Sequence, residues 1–103
     1  MQTEKIILGI DPGTAVMGFG IISIFKNKIK LLAIDELVMK KEPTHEKKKK
    51  KIFDRTLALI DEFHPDEVAL EAPFYGKNVQ SMLKLGRAQG VAMAASLHRE
   101  VPI

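Results

Sequence analysis

The stretch Ile6-Ile7-Leu8-Gly9-Ile10-Asp11-Pro12-Gly13-Thr14 decides the fold of this 103-residue chain. Its unbroken apolar run predicts a central strand that is buried on both faces. Pro12 cannot continue a ladder of backbone hydrogen bonds, and Gly13 permits a turn without side-chain hindrance, so the strand should end at Asp11. Open α/β sheets place their functional sites at the carboxyl ends of such strands.

A second strand repeats this pattern, because the apolar run Val68–Leu70 ends on Glu71 and is followed by Ala72 and Pro73. Asp11 alone has a simpler interpretation, as the first residue of an ordinary turn. Two acids at the carboxyl ends of neighbouring parallel strands would instead share one sheet edge. Carboxylate oxygens suit a hard divalent cation, so Asp11 and Glu71 are a candidate metal pair.

The length and composition predict one globular domain, residues 1–103, with 46% hydrophobic and 28% charged residues. The chain has no cysteine, which excludes disulfides and thiolate metal sites. A net charge of +3 is a weak indication of a polyanionic partner. No apolar run reaches the roughly 20 residues of a membrane span and no signal peptide is visible, so we expect no membrane partner and a cytoplasmic location.

Two further strands should follow the Asp11 turn. Met17–Ile22 alternates large apolar residues with Gly18 and Gly20, which indicates either a bulge or a close approach to the strand at its start. Lys26–Lys28 is a polar connection to a third apolar run, Ile29–Ile34, and predicts a hairpin. The first three strands therefore form a meander.

A helix should begin at Thr44 as its N-cap and end at His64-Pro65, since apolar residues between them recur at helical spacing. The lysine run Lys47–Lys51 lies in its first turns, where cations oppose the helix dipole. A solvated helix face is the favoured interpretation of this run, and a phosphate contact is the alternative.

The strand Glu67–Glu71 can pair in parallel with the first strand, because the hairpin and helix supply a long crossover. Asn78 should then cap a second helix that reaches about Arg99. One seam of that helix contains Val79, Met82, Leu83, Gly86, Gly90, Met93 and Leu97. Glycine costs about 1 kcal/mol inside a helix relative to alanine, so this seam should pack closely against another helix, either of this chain or of a second subunit.

Three motifs, IDPGTAVMGFGII, ALEAPFYGKN and KLGRAQGVAMAA, resemble in this order the RuvC family of Holliday-junction resolvases. The resemblance covers essentially the whole chain. It implies a ribonuclease-H-like α/β fold with a mixed sheet, in the order of three strands, a helix, a fourth strand and a second helix. A complete member continues with another strand and an acidic C-terminal helix, so the domain is expected to be incomplete at its C-terminus. The partners implied are a four-way DNA junction, a second copy in a homodimer and branch-migration motor proteins.

The resemblance also assigns roles to residues. Asp11 would bridge two Mg²⁺ or Mn²⁺ ions and Glu71 would bind one, for hydrolysis of a phosphodiester. Aromatic residues usually serve packing, so the residue type by itself favours burial of Phe74 in the core. The resemblance instead implies that Phe74 stacks on a base of an opened junction. Lys77 and Asn78 could hold phosphates because they lie at the start of the second helix. Gly13 and Thr14 are further candidate DNA-binding residues, and the candidate residues for a dimer interface or helix packing are Met82, Gly86, Gly90 and Met93.

Two other functions are open at this point. A non-catalytic module for junction binding or dimerisation would need none of the acids. The turn Ile10–Thr14 also resembles the first phosphate-binding turn of actin-like sugar kinases, although those need longer chains and a second phosphate loop. Because the remaining acids of a complete resolvase are missing, we expect the chain by itself to hold metal poorly and to be inactive.

Overall fold

A computed structural model of the chain describes residues 3–72 and 78–103. The elements are β1 (Lys5–Asp11), β2 (Val16–Phe25), β3 (Lys28–Val38), α1 (His45–Phe63), β4 (Glu67–Leu70) and α2 (Val79–His98). The strands form one sheet in the order β3-β2-β1-β4. The first three strands are antiparallel neighbours and β4 runs parallel to β1, which confirms the predicted mixed sheet and its crossover.

β1 is central in the sheet, but only one of its faces is covered by the helices. Leu8 and Ile10 are buried in one core cluster with side chains of β2, α1 and α2. On the opposite face, Ile7 and Gly9 remain half-buried within the described ranges. The expectation of a strand buried on both faces was therefore wrong for this part of the chain, because α1 and α2 contribute their buried residues to the same side of the sheet.

A β-bulge in β3 sets the second face of the sheet. Ile21 pairs with Ala33 and Ile22 with Leu31, which leaves Leu32 as the extra residue. The bulge changes the phase of the strand, so that Leu31 and Ile34 lie on the same uncovered face. Their exposed fractions are 56% and 71%, which leaves an apolar surface there.

α1 begins and ends as the sequence predicts. The Thr44 hydroxyl accepts a hydrogen bond from the Lys47 amide at 3.2 Å, and His64 closes the helix in the left-handed conformation at φ 49°. The His64 N–H donates to the Ile60 carbonyl at 2.9 Å. No helix in the described ranges is long and apolar enough to cross a membrane.

α2 packs with a different face from the predicted one. Its amino end is capped by Asn78, whose side-chain oxygen accepts from the Ser81 amide at 2.8 Å, as expected. The buried residues are small ones, namely Ala88, Ala92, Ala95 and Ser96. Most of the predicted seam is exposed, and a Cβ built on Gly86 or Gly90 would meet nothing within 4 Å. Close packing of this seam within the described chain is therefore excluded, and packing against a second subunit stays a prediction.

Candidate metal and nucleic-acid site

Asp11 and Glu71 lie side by side at the carboxyl ends of β1 and β4. The two strands are parallel and in register, with Gly9 opposite Ala69 and Ile10 opposite Leu70. The Glu71 N–H continues the pairing by donating to the Ile10 carbonyl at 3.1 Å. Alternation along each strand directs both acids to the uncovered face, away from the helices.

The two carboxyl groups interact with each other. The pKa of Glu71 is raised, first by the negative charge of Asp11, then by a side-chain hydrogen bond with Asp11 and by partial desolvation. Two carboxylates this close disfavour the doubly ionised state. A bound cation would relieve this repulsion, so the pair has the oxygen chemistry and the charge that a hard divalent ion requires.

Three glycines leave the space beside the two acids free of side chains. Gly9, Gly18 and Gly20 lie with the two acids in a groove of about 610 Å³ on the uncovered face, with Leu31 and Ile34 on its apolar side. A Cβ on Gly18 would lie 3.6 Å from the Asp11 Cβ, so a larger side chain there would occupy the space beside the carboxylates. The glycine-rich second strand therefore leaves access to the acids.

The turn after Asp11 depends on Gly13. A Cβ on Gly13 would lie 1.8 Å from the Val16 carbonyl oxygen, a distance that the backbone cannot accommodate without moving. Gly13 and the exposed Thr14 line a separate basic pocket between the sheet and the helices. The predicted need for a turn free of side-chain hindrance thus has a specific steric cause.

Sequence reasoning missed Gln89, which connects α2 to the site. Its side-chain amide donates to the Glu71 carbonyl oxygen at 3.1 Å. The two residues are 18 positions apart, and a glutamine on a helix surface carries no pattern that would identify its partner. The contact links α2 to the backbone at Glu71.

The remaining predicted site residues fall into two groups. Asn78 is described and its side-chain oxygen serves the cap of α2. Phe74 and Lys77 lie outside the described residues. Within residues 3–72 and 78–103, no group of three or more His, Cys, Asp or Glu side chains is placed to hold a metal ion. Asp11 and Glu71 therefore stand there as a pair.

Comparison with known proteins identifies the family. The family model described as crossover junction endodeoxyribonuclease RuvC matches residues 7–103. Proteins of that description from Christiangramia forsetii and Porphyromonas gingivalis are 62% and 58% identical over 100% and 97% of this chain. The chain spans about half of those relatives, 54% and 53% of their lengths. The structure of Thermus thermophilus RuvC in complex with Holliday junction substrate superposes with a TM-score of 0.87 at 26% identity, covering 95% of this chain and 61% of the other. The chain therefore belongs to the RuvC family of crossover junction endodeoxyribonucleases and has its ribonuclease-H-like fold.

Proposed function

We propose that this chain supplies part of the active site of a structure-specific endonuclease that hydrolyses a phosphodiester at four-way DNA junctions, in recombination and repair. The observation that carries the proposal is the pair of carboxylates, Asp11 and Glu71, at the ends of two parallel strands. They face an open groove rather than the protein core. The activity for which the relatives are named, and the Holliday junction bound by the Thermus thermophilus protein, support the same reaction.

Asp11 and Glu71 are the residues that would hold Mg²⁺ or Mn²⁺. In the complete enzyme we propose that Asp11 and Glu71 would be among the ligands of two such ions. The ions would activate water and stabilise the leaving 3′ oxygen. The chain's own contribution is positional, because the paired strands and the Gln89 contact with the Glu71 carbonyl oxygen place the backbones of the two acids side by side at the sheet edge.

The charge of this pair limits what the chain can do by itself. Two carboxylates carry a formal charge of −2, which offsets only half of the charge on two dications. The ions repel each other strongly at the short separation that such a mechanism needs, unless further anionic ligands are present. We therefore propose that the chain alone binds one ion weakly and does not cleave.

The residues around the acids would bind DNA. Gly13 and Thr14 belong to the turn after Asp11, where Gly13 is half-buried and Thr14 is exposed for phosphate contact. The Asn78 side-chain oxygen is used by the helix cap, so its amide N–H₂ group remains to donate to a phosphate. Lys77 adds a cation beside it in sequence. Phe74 would stack on a base at the crossover, an interaction of about 1–3 kcal/mol.

The exposed seam of α2 is the surface that we propose for a second copy of the chain. Val79, Leu83 and Leu97 are 75%, 52% and 59% exposed on it. Gly86 and Gly90 leave room for another helix to approach, and Met82 and Met93 lie on the same side. A homodimer would place two carboxylate pairs on one junction. Branch-migration motor proteins are further partners that the family resemblance implies.

The decisive experiment is a junction-cleavage assay with a Mg²⁺ or Mn²⁺ titration. It compares this chain with a version extended through the acidic C-terminal helix that the family resemblance implies. We expect cleavage only by the extended version and its loss in Asp11→Asn, which also controls for contaminating nuclease. If the short chain cleaves at a comparable rate and Asp11→Asn abolishes both activities, two carboxylates suffice. If Asp11→Asn leaves the extended version fully active, the proposed site is wrong.

A further inference from the structure

Three of the five lysines at the start of α1 are exposed, and two are half-buried. Lys50 is paired with Asp54 and Lys51 with Glu42, both at 2.7 Å. Lys47 is exposed to solvent. The other two, Lys48 and Lys49, are half-buried and turn to the inside of a pocket. A solvated helix face therefore accounts for only part of the run.

The pocket lies where α1, the turn after β1 and the middle of α2 meet. Its volume is about 100 Å³, small beside the roughly 300–1,000 Å³ of sites that enclose whole small molecules. Its lining includes four cations, two from each helix, together with His45 and Thr14, and no acidic residue; the cations are Lys48, Lys49, Lys84 and Arg87.

These four cations have no carboxylate partner in the described ranges. Residues 1–2 and 73–77 contain no Asp or Glu that could supply one. Lys49 reaches only the His45 carbonyl oxygen, at 3.5 Å. Like charges gathered in a small space repel one another, and those in the first turns of α1 also oppose its dipole. An anion in the pocket would offset both effects.

We propose that this pocket binds a phosphate of the DNA backbone, separate from the phosphate that is cut. The proposal rests on the proposed function and deepens it, because Gly13 and Thr14, which line the pocket, belong to the turn that follows Asp11. A DNA strand bound at Asp11 and Glu71 would thus make a second contact with the protein, on the helix side of the turn after β1. Arg87 can donate two parallel hydrogen bonds to phosphate oxygens, while the lysines act as point charges.

The test is an NMR titration of the ¹⁵N-labelled chain with a short single-stranded oligodeoxynucleotide, in metal-free buffer. We expect saturable shifts at the amides of Thr14, Lys48 and Arg87. Lys84→Gln and Arg87→Gln should each weaken binding at least about tenfold, because each removes a charged donor to the phosphate. Circular dichroism checks that each variant is folded.

Lys47→Gln and Lys50→Gln are the matched controls, since each removes the same charge from α1 outside the pocket. Binding that weakens equally in controls and pocket variants means diffuse attraction and overturns the proposal. The absence of saturable shifts at Thr14 and Arg87 also overturns it. Saturable shifts with inorganic tripolyphosphate but not with the oligonucleotide would show a phosphate site that does not take DNA, and would overturn the assignment to the DNA backbone.

The proposed metal site is tested separately in the same samples. Mn²⁺ should broaden the amide signals near Asp11 and Glu71 by paramagnetic relaxation. Broadening without oligonucleotide shifts in the pocket overturns the pocket and leaves the metal site intact. Oligonucleotide shifts in the pocket without Mn²⁺ broadening overturn the proposed metal site and leave the phosphate pocket intact. Failure of the pocket and failure of the metal site are therefore distinguishable.

Discussion

At the scale of single residues, the coupling between Asp11 and Glu71 has a measurable consequence. The pKa of Glu71 is raised, chiefly by the charge of Asp11, so its ionised form is disfavoured in the folded chain. Folded-state stability should therefore increase as the pH falls from neutral through this raised pKa, because protonation removes the repulsion. Divalent-ion affinity should fall over the same pH range, since the proton competes with the metal.

We predict that Asp11→Asn lowers the pKa of Glu71 towards its ordinary value, because the substitution removes the neighbouring charge while preserving shape. A ¹³C-carboxyl NMR titration of wild type and variant measures this directly. Glu67 is the internal control, since it lies at the start of β4, away from Asp11, and is paired with Lys5. An unchanged Glu71 titration in Asp11→Asn would mean that the two side chains do not interact in solution.

At the scale of elements, α2 has two apolar stripes, and they should respond oppositely to added volume. Ala92 is fully buried, so Ala92→Leu should lower the free energy of unfolding by about 1–3 kcal/mol through overpacking. Gly90→Ala should raise the free energy of unfolding of the monomer by about 1 kcal/mol. A Cβ at this position has no neighbouring atom within 4 Å, and alanine has a higher helix propensity than glycine. Urea unfolding at low protein concentration measures both.

The same Gly90→Ala variant tests the interface proposed on this seam. If a partner helix packs closely on the glycines, the added methyl groups should weaken self-association while the monomer gains stability. Analytical ultracentrifugation over a concentration series shows this as a shift towards monomer. A destabilised monomer in Gly90→Ala would instead mean that the seam packs within the chain, contrary to the structure.

At the scale of the whole molecule, the sheet has one covered and one uncovered face, and equivalent changes on them should differ in cost. Ile21 is fully buried, so Ile21→Ala should lower the free energy of unfolding by about 2–5 kcal/mol. Ile34 is 71% exposed, and Ile34→Ala should change the free energy of unfolding by less than about 0.5 kcal/mol. Thermal and urea unfolding of the two variants provide the comparison. A large, concentration-dependent cost at Ile34 would show that copies of the chain associate through this face.

The sequence alone was sufficient to predict the order and type of the elements and the adjacency of Asp11 and Glu71. Pro12 and Gly13 end β1, Thr44 and Asn78 cap the helices, and each of these effects acts within a few residues, where local chemistry decides the conformation. The parallel pairing of β1 and β4 followed from the length of the crossover. The adjacency of Asp11 and Glu71 could be predicted because it depends only on that pairing.

Only the tertiary structure decided which surfaces are used. α2 offers both a glycine stripe and an alanine stripe, and periodicity cannot choose between them; small alanines allow α1 to approach, so the alanine stripe is buried. Gln89 contacts Glu71, and Lys48 and Lys49 line one pocket with Lys84 and Arg87, although the elements that carry them are distant in sequence. Such contacts depend on how a helix is rotated about its axis, which packing against the rest of the molecule determines and a local pattern does not.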